Sequence, residues 1–193
     1  MAISLQKGQK ISLEKEAGQT LTRIIMGLGW DAAKKGGLFG LFGSNNSIDL
    51  DASCLLFNDK KERVDVVWFR QLTSQDGSIK HTGDNRTGDG DGDDEQIIVD
   101  LNRVPNYVTA LVFTVNNFTG QNFEKVSNAY CRIVNGSNNK EIARYNLSAQ
   151  GSHTAQIMAK VYRHNGEWKM HAIGENGYGR TVTDLLTGII PHL

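Results

Sequence analysis

Residues 155 to 173 predict a β-hairpin, and this feature constrains the fold class most. Apolar and polar residues alternate from Ala155 to His164 and again from Glu167 to Ile173. Asn165-Gly166 stands between the two segments, and this dipeptide is the strongest short signal for a two-residue hairpin turn because both positions tolerate positive φ. Alternation of this kind is typical of strands that bury one face.

Short alternating segments separated by turn residues continue through the rest of the chain. Its 193 residues include 21 glycines and two prolines, which suits a single domain with a buried core and many tight turns. About ten short strands predict an all-β fold, a sandwich or a barrel. Short helices are expected only near Asn122 to Val126 and Thr183 to Ile189. The other strand candidates are Ile3 to Leu5, Ile11 to Leu13, Thr20 to Met26, Ile48 to Phe57, Val64 to Leu72, Gln96 to Leu101, Tyr107 to Asn116, Tyr130 to Val134 and Glu141 to Leu147.

Charge and hydropathy exclude several function classes. Basic and acidic residues both number 21, so the formal charge is zero, which removes the general electrostatic argument for a nucleic-acid partner. No apolar run approaches the roughly 20 residues of a membrane-spanning helix, and the first residues lack the apolar segment of a signal peptide. We therefore expect a cytoplasmic protein. Cys54 and Cys131 stand alone in strand segments, which favours two buried reduced thiols and leaves a disulfide open.

Acidic residues concentrate between Asp84 and Glu95. This stretch, Asp-Asn-Arg-Thr-Gly-Asp-Gly-Asp-Gly-Asp-Asp-Glu, carries six acids and one base, a net charge of −5. Its three glycines disfavour a stable helix or strand, so the carboxylates are expected on a compact loop. A donor set of oxygens suits Ca²⁺ best, since Mg²⁺ demands stricter octahedral geometry and the stretch itself contains no imidazole or thiolate for zinc or copper. The EF-hand pattern does not fit, because its glycine and oxygen ligands fall at the wrong positions in either register.

A second acidic group precedes the loop in the chain. Asp49 and Asp51 are two residues apart in a predicted strand, so both project from the same face. Asp31 follows the apolar segment Gly27-Leu-Gly-Trp30, where a carboxylate would lie at the edge of a sandwich. We expect these three carboxylates to meet the acidic loop at one pole and enclose one or two cations. The alternative is that each is a solvated acid at a strand end.

Taken together, these motifs resemble the signatures of the TerD family of tellurium-resistance and stress proteins. The carriers are Gly27-Leu-Gly-Trp-Asp31, Asp49-Leu-Asp-Ala-Ser53 and the stretch from His81 to Glu95, in this order and spacing. The resemblance continues through Phe113-Thr-Val-Asn116 to the final hairpin and covers essentially the whole chain. The glycine-rich insert from Gly36 to Ser47 is similar to the TerZ-like branch of the family.

This resemblance implies a fold, a metal and a biological setting. The implied fold is a β-sandwich of two sheets with one or two short helices, forming a single calcium-binding domain over residues 1–193. The implied setting is the bacterial cytoplasm, in gene clusters that confer resistance to tellurite, phage and pore-forming colicins, with no agreed catalytic residues. The ligands it implies for one or two Ca²⁺ ions are Asp31, Asp49, Asp51, Asp84, Asn85, Asp91, Asp93, Asp94 and Glu95.

The leading functional hypothesis is a non-enzymatic, Ca²⁺-dependent interaction module. Cation binding would order the acidic loop and create a surface for protein partners in a membrane-associated stress complex. Leu38, Phe39, Leu41 and Phe42 in the insert are candidates for that surface or for peripheral contact with the inner membrane, unless they fold back onto the core. A metal-dependent hydrolase and a Ca²⁺-dependent lipid-binding module are the alternatives. His81 lies beside the loop, where an anchoring role is favoured over catalysis.

Overall fold

Among the residues that the structure describes, twelve strands are the main elements. The computed structural model describes residues 2–32, 49–85, 92–146 and 151–193, without the side chains of Asp31, Ala32, Lys125 and Ser127. The strands are β1 (Ile3–Ser4), β2 (Lys10–Ser12), β3 (Arg23–Ala32), β4 (Leu50–Phe57), β5 (Arg63–Val67), β6 (Ile79–His81), β7 (Glu95–Asp100), β8 (Ala110–Asn117), β9 (Val126–Asn135), β10 (Glu141–Asn146), β11 (Ala155–His164) and β12 (Glu167–Gly177).

Within the described ranges the strands form two sheets of six. One sheet, called sheet A, has the order β1-β10-β9-β3-β7-β6, and the other, sheet B, has the order β2-β12-β11-β8-β4-β5. Pairing is antiparallel apart from the parallel β1–β10 pair at the edge of sheet A. The predicted all-β sandwich of two sheets is confirmed. The β11–β12 hairpin also lies where predicted, with Asn165 and Gly166 at φ 52° and 78°, the backbone that a type I′ turn requires.

Helices are short, as predicted, but one was missed. The chain end forms a 3₁₀ turn (Val182–Leu185), α2 (Leu186–Ile189) and a second 3₁₀ turn (Ile190–His192), and a further 3₁₀ turn covers Phe123–Lys125. The sequence predicted strand up to Leu13, whereas α1 (Leu13–Ala17) begins there. The Ser12 hydroxyl accepts a hydrogen bond from the Lys15 N–H, and Gly18 ends the helix at φ 67°, so local capping overrides the apolar alternation.

Around β5 and β6, one strand is shorter than predicted and another was missed. The predicted strand from Val64 to Leu72 ends at Val67, because Trp68 and Gln71 exchange backbone hydrogen bonds of 3.1 and 2.9 Å and turn the chain. Strand β6 was not predicted at all, since three residues carry too little alternation to be recognised. It pairs with β7 at the edge of sheet A.

The core lies between the two sheets, and a second apolar cluster covers the outside of sheet B. Leu50, Ala52 and Cys54 of β4 face the core between the sheets. Leu55 and Phe57 instead face outward, where the chain-terminal turns cover them with Val182, Leu185 and Ile189. Cys54 and Cys131 are both free and buried, as the sequence favoured. Among the described residues no helix has the length and hydropathy needed to cross a membrane.

Candidate metal centre

Three carboxylates meet at the pole where β4 begins and β6 ends. Asp49 and Asp51 are 7 % and 5 % exposed, and Asp84 comes from the exposed chain after β6. One carboxylate oxygen from each lies within 4.8 Å of the others. Because Leu50 and Ala52 face the core, Asp49 and Asp51 project from the outer face of sheet B, as their two-residue spacing predicts. We refer to these three residues as the Asp triad.

Electrostatics of the Asp triad favour a cation strongly. Two carboxylates separated by this distance repel each other by about 3 kcal/mol at an effective dielectric constant of about 20. Burial, followed by the nearby charges of Glu95, Asp49 and Asp84, raises the pKa of Asp51 from 3.8 to about 8. Asp51 Oδ2 is buried and has no hydrogen-bond partner among the described residues. A group in this state is held neutral by protonation or charged by a bound cation.

Asn116 adds an oxygen that the sequence analysis did not assign to the site. Asn116 on β8 is the cross-strand partner of Asp51, so both side chains lie on the outer face of sheet B. Its Nδ2 donates to the Gly179 carbonyl at 3.3 Å, which identifies the other amide atom as the oxygen. That oxygen is buried and has no hydrogen-bond partner in the part of the chain described. The position of Asn116 next to Asp51 could be predicted only from the pairing register of β4 and β8, and the alternation of apolar and polar residues within one segment does not give that register.

Glu95 holds the two sheets together beneath the Asp triad. Strand β5 pairs with β4 only from Cys54 onward, so the edge of β4 near Ala52 lacks a strand partner there. Glu95 Oε2 accepts from the Ala52 N–H at 2.7 Å, and Oε1 accepts from the Asn85 N–H at 3.1 Å. The residue is fully buried. Its carboxylate therefore anchors the chain after Asp84 to sheet B.

His81 supports that anchor. Its Nδ1 accepts a hydrogen bond from the Gly83 N–H at 3.1 Å, so the proton of a neutral ring lies on Nε2. Nε2 is 3.3 Å from Glu95 Oε2, and both side chains are essentially unexposed. The ring thus contacts the chain around the triad, as expected of the anchoring role.

Asp94 and Asn85 tie the two ends of the acidic segment to β3 and to each other. Asp94 Oδ2 accepts from the Trp30 N–H at 2.9 Å, and its Oδ1 accepts from Asn85 Nδ2 at 3.1 Å. The Asp94 N–H donates to the Leu28 carbonyl at 2.8 Å, which extends the β3–β7 ladder by one step. These bonds place the chain on both sides of residues 86–91 next to the end of β3.

Asp93 lies on the outside of sheet A, where it forms an ion pair. Its oxygens accept from Arg132 Nε at 2.7 Å, from Arg132 Nη2 at 3.1 Å and from Gln96 Nε2 at 3.0 Å. Gly27 lies between Arg132 and Gln96 in the sheet register, and a Cβ on Gly27 would stand only 2.1 Å from Asp93 Oδ2. The first glycine of the Gly-Leu-Gly motif therefore leaves room for this carboxylate.

Gly29 leaves room for the aromatic ring of Tyr130 in the same way. Tyr130 is its partner on β9, and a Cβ on Gly29 would come within 2.5 Å of the Tyr130 ring. The Tyr130 hydroxyl donates to the Gly92 carbonyl at 2.7 Å, and the Arg144 guanidinium lies 4.0 Å from the ring centroid. Both glycines of the motif thus leave room for side chains whose contacts hold Gly92 and Asp93, near the end of the acidic stretch.

The nine predicted ligands fall into distinct places. Asp49, Asp51 and Asp84 form the triad, Asn85, Asp94 and Glu95 make the hydrogen bonds around it, and Asp93 pairs with Arg132. The backbone of Asp31 pairs with Ser127 at the end of β3, one residue after Trp30 and three residues after Leu28, the two β3 residues that Asp94 contacts; the Asp31 side chain lies outside the described part of the chain. Asp91 and the apolar residues Leu38, Phe39, Leu41 and Phe42 lie outside the described residues.

Fold and site together define a class, an all-β sandwich with a buried acidic centre at one pole. The chain belongs to the TerD family, since the model of the TerD domain matches residues 1–188. It is 49 % identical to the tellurium resistance protein TerZ of Serratia marcescens, over 97 % of both chains. It is 42 % identical to the stress response protein SCP2 of Bacillus subtilis, over 97 % of this chain and 98 % of that one.

Solved structures agree on the fold. A homologue of the telluride resistance protein TerD from Streptomyces coelicolor superposes with a TM-score of 0.72, covering 89 % of this chain and 98 % of that chain at 21 % identity. A protein of unknown function superposes with a TM-score of 0.68 at 24 % identity, covering 84 % and 94 % of the two chains. The relatives thus carry the names of resistance and stress proteins, and the shared architecture is the two-sheet sandwich.

Proposed function

We propose that this chain is a calcium-binding interaction module of the tellurium-resistance and stress response, acting in the cytoplasm without catalysis. The observation that carries the proposal is the Asp triad, in which a buried Asp51 oxygen without a hydrogen-bond partner lies among like charges. Such an oxygen costs free energy unless something positive satisfies it. Residues 1–193 would form one calcium-binding unit that holds one or two ions.

Calcium fits this centre better than other cations. Every donor that the triad and Asn116 offer is an oxygen, and Ca²⁺ accepts 6–8 oxygens in flexible geometry. Asp84 is exposed while Asp49 and Asp51 are buried, which leaves one side open for water ligands. Asp49, Asp51, Asp84 and Asn116 would hold the ion, and Glu95, Asp94 and Asn85 would orient the chain around it.

A non-enzymatic role is supported by where the candidate base lies. His81 is the histidine next to the acidic segment, and its two nitrogens face the Gly83 N–H and the Glu95 carboxylate. Since His81 is only 5 % exposed, its Nδ1 accepts from the Gly83 N–H and its Nε2 lies against the Glu95 carboxylate, the ring is poorly placed to take a proton from a substrate at the triad. The names of the relatives as resistance and stress proteins point the same way.

Calorimetry of the chelator-stripped chain tests the proposal. We expect calcium to bind with measurable heat and to raise the melting temperature, because the ion binds only the folded state. Asp51→Asn should weaken binding by about a hundredfold or more, since even residues that only orient ligands contribute 10–100-fold. Asp59→Asn, an exposed acid in the turn after β4, should leave affinity unchanged. Absence of heat and of a thermal shift in the natural chain would rule out the calcium site.

A further pair of variants tests the assignment of Asn116. Asn116→Leu should lower calcium affinity about tenfold by removing an oxygen next to Asp51. Asn117→Leu is the matched control, because Asn117 neighbours it on the same strand and is also buried, but faces the opposite side of sheet B. Titration calorimetry compares the two. Equal losses in both variants would contradict a direct role for the Asn116 oxygen.

A further inference from the structure

Exposed apolar and basic side chains lie on chain segments that contact the Asp triad and the residues next to it. Leu72, Phe118 and Tyr178 are 44 %, 38 % and 68 % exposed, although large apolar side chains are usually covered. Arg70 and Arg180 are exposed beside them. The set consists of Phe69, Arg70, Leu72, Phe118, Tyr178 and Arg180, and we call it the rim.

Backbone contacts join the rim directly to the site. The Phe118 N–H donates to the Asp49 carbonyl at 3.0 Å, and the Leu72 carbonyl accepts from the His81 N–H at 2.8 Å. Tyr178 precedes Gly179, whose carbonyl accepts from Asn116 Nδ2. Three exposed apolar residues on three different segments are therefore fixed at the border of the same acidic centre.

Side-chain contacts hold four of the six rim residues in place, namely Phe69, Arg70, Phe118 and Arg180. The Phe69 ring packs edge-on against Phe118 at 5.4 Å and against Trp68 at 5.0 Å between centroids. The Arg70 guanidinium lies 5.3 Å from the centroids of both Trp68 and Phe69. On the other side, a Cβ on Gly120 would stand 2.9 Å from Arg180 Nε, so that guanidinium packs against the turn after Phe118. A surface ordered in advance loses little conformational entropy when it binds.

Charge on this surface depends on the cation. Without an ion, the triad repels anions and offsets the two arginines. One divalent ion reduces the charge of the three triad carboxylates from −3 to −1, and Arg70 and Arg180 then give the triad and rim together a net positive charge. The rim would therefore attract anions only in the loaded state.

The arrangement of the rim favours a lipid surface over a protein surface, whereas its composition of aromatic and arginine residues suits both. Aromatic rings and arginines are the residues that prefer the boundary between lipid head groups and acyl chains. The exposed apolar side chains come from separate segments around a charged centre, whereas protein interfaces centre on a continuous apolar core. Single side chains of this kind can enter between head groups while the arginines contact phosphates.

We propose that the calcium-loaded pole docks onto an anionic phospholipid surface through the rim. Arg70 and Arg180 bind head-group phosphates, and Leu72, Phe118 and Tyr178 enter the head-group layer. This inference rests on the calcium binding proposed above and adds the partner and the residues that contact it.

Sedimentation with vesicles tests the docking surface. The natural chain should sediment with vesicles of 30 % phosphatidylglycerol in phosphatidylcholine when calcium is present, and lose at least about tenfold in partitioning with a chelator or with pure phosphatidylcholine. Arg70→Gln with Arg180→Gln should lower partitioning about 25-fold, roughly fivefold for each arginine. Phe118→Ser should lower it about tenfold. The matched control is Arg103→Gln with Tyr107→Ser, an exposed pair in the turn before β8 at the opposite pole, which should partition normally.

Calcium titration of the same variants separates the two proposals. Retained calcium affinity with lost sedimentation in the rim variants supports docking. If the natural chain binds calcium but not anionic vesicles, the docking proposal is overturned and the calcium proposal is retained. If it binds no calcium, both proposals are overturned. If the chain binds polyglutamate but not vesicles, and the rim variants lose that binding, then the rim binds acidic protein segments and the lipid assignment is overturned. Equal sedimentation of rim and control variants would also overturn it.

Discussion

Calcium affinity is expected to rise about 50-fold between pH 6 and pH 8, because Asp51 must lose a proton before it can bind the ion. Its pKa is raised to about 8, chiefly by burial and then by the charges of Glu95, Asp49 and Asp84. Below pH 8 the ion displaces a proton, so the binding constant rises about tenfold for each pH unit. Above pH 8 the carboxylate is already ionised and the affinity should level off.

In the calcium-free chain, the contribution of Asp51 to folding stability should fall as the pH rises, which is the opposite of the trend in calcium affinity. The pKa of Asp51 is higher in the folded state than the ordinary value of 3.8, so the folded state holds a proton that the unfolded chain has released. The contribution of Asp51 to stability is therefore full below pH 4 and is lost as the pH rises from 4 to 8. Calcium should abolish this loss, since the ion takes the place of the proton.

Titration calorimetry at pH 6, 7, 8 and 9, in two buffers with different ionisation enthalpies, measures the calcium affinity and the proton release, and thermal unfolding of the calcium-free chain between pH 4 and pH 8 measures the stability. About one proton should be released for each ion at pH 6 to 7, and almost none at pH 9. Asp51→Asn should bind more weakly but without this pH dependence, whereas Asp59→Asn should retain it. A natural chain with constant affinity from pH 6 to pH 9 would show that Asp51 is ionised before calcium arrives, which would contradict the electrostatic argument.

Much of the sandwich could be predicted because its signals are local. The period-two alternation of β4 is enough to place Asp49 and Asp51 together on one face, and Asn165-Gly166 is enough to place a hairpin. The exceptions are equally local. At Leu13 a capping serine begins a helix where alternation predicted a strand, and β6 is too short to show any period.

Roles within the acidic residues could not be separated from the sequence. All of them have the same charge and lie close together in the chain, so one ligand set was the simplest expectation. The described residues instead divide according to long-range register. Asp93 meets Arg132 because β3 lies between β7 and β9, and Glu95 meets Ala52 because the two sheets face each other at that pole. Neither contact has a signature within a window of neighbouring residues.

The second large effect is the loss of folding stability that we expect when the Arg132–Asp93 ion pair is broken. Arg132→Ala should destabilise the folded chain by about 3–5 kcal/mol, because it leaves a buried carboxylate without its cation. The Asp93 side chain has no exposed surface, and Arg132 is 26 % exposed. In a chain of this size, such a loss lowers the melting temperature by roughly 10 °C. Thermal unfolding of the calcium-free protein measures it.

Two further variants make the result specific to the buried charge. Arg144→Ala also removes an arginine that bonds Glu141, but that carboxylate is 22 % exposed, so a loss of about 1 kcal/mol is expected. Arg132→Ala combined with Asp93→Asn removes the orphaned charge together with its partner, and should be more stable than Arg132→Ala alone. If the double variant is no more stable than the single one, the loss arises from packing over Gly27 rather than from an unpaired carboxylate.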